Sequence, residues 1–195
     1  MRCAIITAAA CALLSAHCNR SPAEPAAASS QQSTKSSGPG PLTWQAPPTW
    51  SLEKRGKRGK YRAKYQVAPQ GDDKQPAELL ITKLPSADHI EAELTRLEKA
   101  FEKKPTPPKR QNMTVGSFDV TTTETSGTYR LGVGPVVPGS KGKRQAAYVL
   151  QPNWRALAAG VQAGPRGRWF FRLVGPSDTV EAARSPMLNM IKSLK

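Results

Sequence analysis

Trp154-Arg155-Ala156-Leu157-Ala158-Ala159-Gly160-Val161-Gln162 and Arg168-Trp169-Phe170-Phe171-Arg172-Leu173-Val174-Gly175 flank the short link Ala163-Gly164-Pro165-Arg166-Gly167. Two strongly apolar runs joined by a glycine- and proline-rich link predict a β-hairpin, the strongest such signal in the chain. Upstream, Tyr61-Arg62-Ala63-Lys64-Tyr65-Gln66-Val67 alternates apolar and polar positions as a half-buried strand does. Pro69-Gln70-Gly71-Asp72-Asp73-Lys74 then predicts a turn, and Ala77-Glu78-Leu79-Leu80-Ile81-Thr82-Lys83-Leu84 a second strand antiparallel to the first. Gly116 to Thr125 is rich in Thr and Val, which suits a pleated surface, and Ser126-Gly127 predicts a turn before Tyr129.

Two helices frame these strands. Ile90, Leu94, Leu97 and Phe101 recur at helical spacing behind Ser86 as the expected cap, and the pattern stops before Pro105-Thr106-Pro107-Pro108. Near the end of the chain, Ser177 is the expected cap and Asp178 and Glu181 suit a positive helix start. Val180, Ala183, Met187, Ile191 and Leu194 mark the apolar face. Pro186 interrupts that run, so it either kinks the helix or restarts it with Ser185 as a new cap. Trp44 and Trp50 bracket Pro47-Pro48, and both indoles are expected to pack across the core edge. The class is α+β, an antiparallel sheet flanked by helices, and residues 42–195 suffice for one domain.

The first seventeen residues have a different logic. A single Arg2 precedes the apolar run Ala4 to Leu14, which is too short for the roughly 20 residues of a transmembrane helix. Residues 1–17 therefore read as a signal peptide, and Cys3, Cys11 and Cys18 are the only cysteines in the chain. The stretch before Cys18 resembles the bacterial lipobox, although Ser15-Ala16-His17 sets Leu14 one place early and puts His17 beside the cysteine. Lipidation of Cys18 is the leading expectation; ordinary cleavage near Ala16, and an uncleaved anchor or misassigned start, are the alternatives. Residues 18–41, dominated after Cys18 by Ser, Ala, Pro, Gly and Gln, then read as a lipid-anchored disordered linker. The expected location is the cell envelope after export, with inner and outer membrane both open.

The net charge is +15, from 29 basic and 14 acidic side chains. Its densest stretch holds Lys54, Arg55, Lys57, Arg58, Lys60, Arg62 and Lys64, a candidate polyanion-binding set interleaved with glycines. Such a surface favours nucleic acid in a cytosolic protein, but export argues against that partner and points to anionic lipid or polysaccharide. The plainer reading is that charged loops keep a tethered domain in solution.

Catalytic signals are sparse. The chain after the signal has one histidine, His89, and one cysteine, Cys18, so no zinc site can be assembled from them. Asp72-Asp73 lacks the spaced oxygen ligands of a calcium loop and reads as a turn former. Gly132-Val133-Gly134-Pro135 lacks the third glycine of a dinucleotide fingerprint, and no serine has nucleophile-elbow spacing. No catalytic residue, metal ligand or cofactor is assigned, and a carboxylate-only hydrolase is the residual enzymatic possibility.

Trp154 to Val161, Trp169 to Pro176, Val180 and Lys192-Ser193-Leu194 together resemble the end of a group of uncharacterised exported bacterial proteins. Trp44, Trp50, Tyr61 to Val67, Gly71-Asp72, Ala77-Glu78-Leu79 and Gly127-Thr128-Tyr129 agree with it. That group is similar to the PsbP-like fold, an α/β/α sandwich whose members mostly bind proteins or assist assembly. Together with the signal and Cys18, the resemblance implies a membrane-anchored envelope lipoprotein that acts as a protein-binding or assembly module with an unknown envelope protein as partner. Its alternative is a surface protein that holds anionic lipid or polysaccharide through the basic stretch. The shared residues are core and turn residues, so the resemblance transfers no catalytic group.

Overall fold

A computed structural model describes residues 40–53, 61–133 and 147–195, with the backbone of 137–138 and 144–145. The expected signal peptide, Cys18, the expected linker up to residue 39 and the basic residues Lys54, Arg55, Lys57, Arg58 and Lys60 lie outside the described residues. In chain order the strands are β1 (Ser51–Leu52), β2 (Ala63–Val67), β3 (Ala77–Leu84), β4 (Phe101–Glu102), β5 (Lys109–Val115) and β6 (Phe118–Gly132). The short pair β7 (Val137–Pro138) and β8 (Arg144–Gln145) follows, then β9 (Tyr148–Gln162) and β10 (Arg168–Pro176). Helix α1 (Asp88–Lys99) lies between β3 and β4, and α2 (Ser177–Lys192) follows β10.

The expected hairpin is the centre of an eight-stranded antiparallel sheet ordered β1-β2-β3-β10-β9-β6-β4, with β5 also on β6. β10 pairs with β9 from Arg168 opposite Gln162 to Pro176 opposite Trp154, and on its other edge with β3. Strand alternation sorts its side chains to two faces. Trp169, Phe171 and Leu173 join Leu79, Ile81, Val120, Leu157 and Val161 in one core. Phe170 and Val174 join Ala156 and Ala158 in the other.

A helix closes each core. On the first face α2 buries Val180, Ala183, Met187, Met190 and Ile191. On the second face α1 buries Ile90, Leu94 and Leu97. α1 is seated where β9 has no side chain: a Cβ on Gly160 would lie 2.1 Å from Ile90 Cγ2. The arrangement is the α+β sandwich expected from the sequence.

Several local expectations change. Ser86 does not cap α1; its hydroxyl lies 2.6 Å from His89 Nδ1, and no side chain caps the first turn. Phe101 lies beyond the helix in β4, where it completes the same apolar cluster by pairing opposite Tyr129. Ser126-Gly127 makes no turn. β6 runs through it, because Gly127 adopts φ +144° and passes under the backbone of residues 102–104, where a Cβ would sit 2.6 Å from the Glu102 carbonyl oxygen. α2 continues past Pro186 without a restart at Ser185; the proline ring leaves only the Ala182 carbonyl without its helical donor.

Ser177 does not cap α2 either. The Asp73 carboxylate, from the turn between β2 and β3, accepts hydrogen bonds from the Thr179 amide at 2.7 Å and its hydroxyl at 2.8 Å. Gln70 N–H in turn donates to the Thr179 hydroxyl at 3.0 Å. A residue expected only to form a turn therefore satisfies a helix start more than a hundred positions away. At the opposite end of α2, Thr43 and Lys195 exchange both backbone hydrogen bonds at 3.1 Å.

Two ion clusters clamp the helices to the sheet. Arg110 of β5 donates to Glu98 of α1 through Nε and Nη2 and reaches Glu91, while the Thr123 hydroxyl donates to Glu98 at 2.7 Å. Burial pushes the Glu98 carboxyl up, but the hydrogen bonds from Arg110 and Thr123 outweigh it and hold the group below the usual carboxylate range. On the other face Arg155 joins Glu124 to Glu181, and Arg184 also bonds Glu124.

Candidate functional site

The leading segment crosses the α2 face and packs both indoles as its prolines suggested. The Trp44 ring meets Trp169 and Phe171 edge-on at 6.2 and 5.8 Å, and its indole N–H donates to the Tyr65 hydroxyl at 3.1 Å. Trp50 is buried beside Tyr65. Because β1 contributes only Ser51 and Leu52, the sheet ends early here, and a cleft of about 500 Å³ opens between the leading segment and β2. Leu42, Trp44, Ala63 and Tyr65 form its apolar wall, and Leu52, Glu53 and Arg62 its rim.

The chemistry of the cleft is amphipathic. Leu52 is 62% exposed although its neighbours Trp50 and Tyr65 are buried, so a large apolar side chain stands at the mouth without cover from the described residues. Tyr65 accepts the Trp44 N–H, and among the described residues no acceptor takes its phenolic proton. Arg62 supplies an exposed positive charge at the same rim. The wall is preformed, since Trp44 and Tyr65 are fixed by packing and by each other.

The seven basic residues singled out by the sequence do not act as one set. Arg62 reaches the cleft. Lys64 does not: within β2 it lies on the face opposite Ala63 and Tyr65, with Nζ 2.9 Å from Glu53 and 2.7 Å from Glu78, whereas Arg62 precedes the strand. Those two carboxylates, Glu78 foremost, hold the ammonium well above the usual lysine range. His89, already engaged by Ser86, faces no acidic pair, and among the described residues no group of three His, Cys, Asp or Glu side chains could hold a metal ion. No described helix is long and apolar enough to cross a membrane.

The cleft itself was not foreseen. Its signal in the sequence was the Trp44–Trp50 bracket, which implied packing, together with Leu52, an apolar residue between a core indole and a charged stretch.

No family model matches the chain, and no curated protein does. Among solved structures the chain is similar to the crystal structure of LpqN, a protein involved in cell envelope biogenesis of Mycobacterium tuberculosis. That likeness has a TM-score of 0.50 at 13% identity and covers 79% of this chain and 82% of LpqN, so it is a likeness of fold.

Proposed function

We propose that this chain is an envelope lipoprotein with a PsbP-like domain, held to a membrane through acylated Cys18 and acting in envelope assembly by binding a protein partner at the Trp44–Tyr65 cleft. The observation that carries the reading is the cleft: a preformed apolar wall, an uncovered Leu52 and one arginine fit a side chain or chain end presented by another protein. The fold likeness to LpqN, whose role is in envelope biogenesis, supports the envelope setting. Contact, not turnover, is the proposed chemistry, since the cleft pairs no base with a nucleophile.

A photo-crosslinking residue in place of Leu52 tests it in intact cells. One discrete protein adduct at Leu52, absent for the same probe at Thr106 and lost on Arg62→Glu, is the expected result. Equal labelling at both positions would remove the cleft as the binding site. The anchor is tested separately by intact mass: membrane-purified protein carries a lipid-sized increment that Cys18→Ser abolishes.

A further inference from the structure

Beyond the body of the sheet, β6 and β9 continue together as a two-stranded arm. The pairing shifts between Gly127 and Tyr129, where β9 inserts one extra residue and Asn153 adopts φ +55°. Past this bulge Leu131 lies opposite Val149 and Gly132 opposite Tyr148, and the Val133 amide still donates to the Ala147 carbonyl at 2.9 Å. Neither helix covers this part. Val133, Tyr148, Val149 and Leu150 are 38%, 52%, 46% and 48% exposed, so four of the five large apolar side chains exposed among the described residues cluster here.

We propose that this arm, residues 131–133 with 147–150, docks on an anionic lipid surface at headgroup depth. Alternation places Tyr148 and Leu150 on one face and Val133 and Val149 on the other. A protein docked against a ribbon covers one face, whereas a lipid interface surrounds it and rewards apolar side chains on both. The depth follows from the backbone: β10 stops opposite Trp154, and β4 stops opposite Tyr129 with the Arg130 amide still donating to the Ala100 carbonyl, so beyond Arg130 both outer edges of the arm are unpaired among the described strands. Their amide and carbonyl groups need water or headgroups and exclude the hydrocarbon centre.

Charge selects the lipid. Residues 126–154 contain four basic side chains and no acidic one. The Arg130 guanidinium lies 5.5 Å from the Tyr148 ring centroid, and exposed Lys103 stands at the root of the arm, where Glu102 also bonds Arg130. A tyrosine beside an arginine is suited to the boundary between headgroups and acyl chains. The inference does not depend on the cleft, which opens beside β2 at the other end of the strand order.

The full chain carrying Cys18→Ser, which has no acyl group, is sedimented with vesicles of phosphatidylcholine alone or mixed with phosphatidylglycerol. Binding is expected to the mixed vesicles, to weaken with added salt, and to fall about tenfold in Tyr148→Ser/Leu150→Ser, whose thermal midpoint stays that of the parent. Equal binding of parent and double variant would overturn the proposal, as would equal binding to neutral vesicles. So would a parent that is dimeric by native mass and made monomeric by the double variant, because the arm would then pair copies of the chain.

Discussion

The same two strands, β6 and β9, live in two environments. Within the body, Val120, Leu157 and Val161 are closed under α2, and Ala156 and Ala158 under α1. Past the bulge, Leu150, Val149 and Tyr148 continue β9 with equal apolarity and remain half exposed. The strands do not change character there; the cover does. Apolar sequence marks where a protein has something to bury, and the helices and the leading segment decide what is buried within the chain.

The contrast can be tested by substitution. Phe171 is fully buried at the centre of the body, and Phe171→Ala is expected to cost about 3–5 kcal/mol in denaturant unfolding. A cost near that of an arm residue would mean that the body is not the cooperative unit. Glu98→Gln removes the charge that Arg110 and Thr123 bind, for about 1–2 kcal/mol, discounted because Arg110 is more than a third exposed. The Glu98 carboxyl is depressed on folding, so its contribution is complete above the ordinary carboxylate range and is lost as pH falls through the lower folded value. The parent should therefore lose stability on acidification more steeply than Glu98→Gln, and parallel pH profiles would remove this clamp from the account.

Asp73→Ala unlocks the start of α2 and is expected to lower stability by about 1 kcal/mol, with hydrogen exchange increasing first at Thr179. Exchange unchanged there would show that the cap is dispensable. Leu150→Ser in the arm should leave unfolding within about 0.5 kcal/mol of the parent. A larger loss would show that the arm is part of the core after all.

What the sequence disclosed follows the same division. The β9–β10 hairpin, the β2–β3 pair and both helices were legible because their apolar residues fall at the period of the element that buries them. β5 was not, since Lys109 to Asn112 are exposed and polar and its strand conformation comes from pairing with β6. The turn expected at Ser126-Gly127 failed because that glycine serves a close backbone approach, which one-dimensional spacing cannot distinguish from a reversal. Asp73 could be read as a turn residue only because its partner Thr179 is remote. Of the basic set, Arg62 and Lys64 are two residues apart and meet different fates, one at the cleft rim and one between carboxylates.

The reciprocal bonds between Thr43 and Lys195 bear on how the fold carries load. A chain pulled from its amino-terminal side transmits tension first to those two hydrogen bonds, and through them to the carboxyl end of α2, before any long strand ladder is stressed. Peeling residues 42–44 away would also strip the Leu42 and Trp44 wall from the cleft. The proposed binding site would then lose one wall while the long strand ladders of the sheet stay paired.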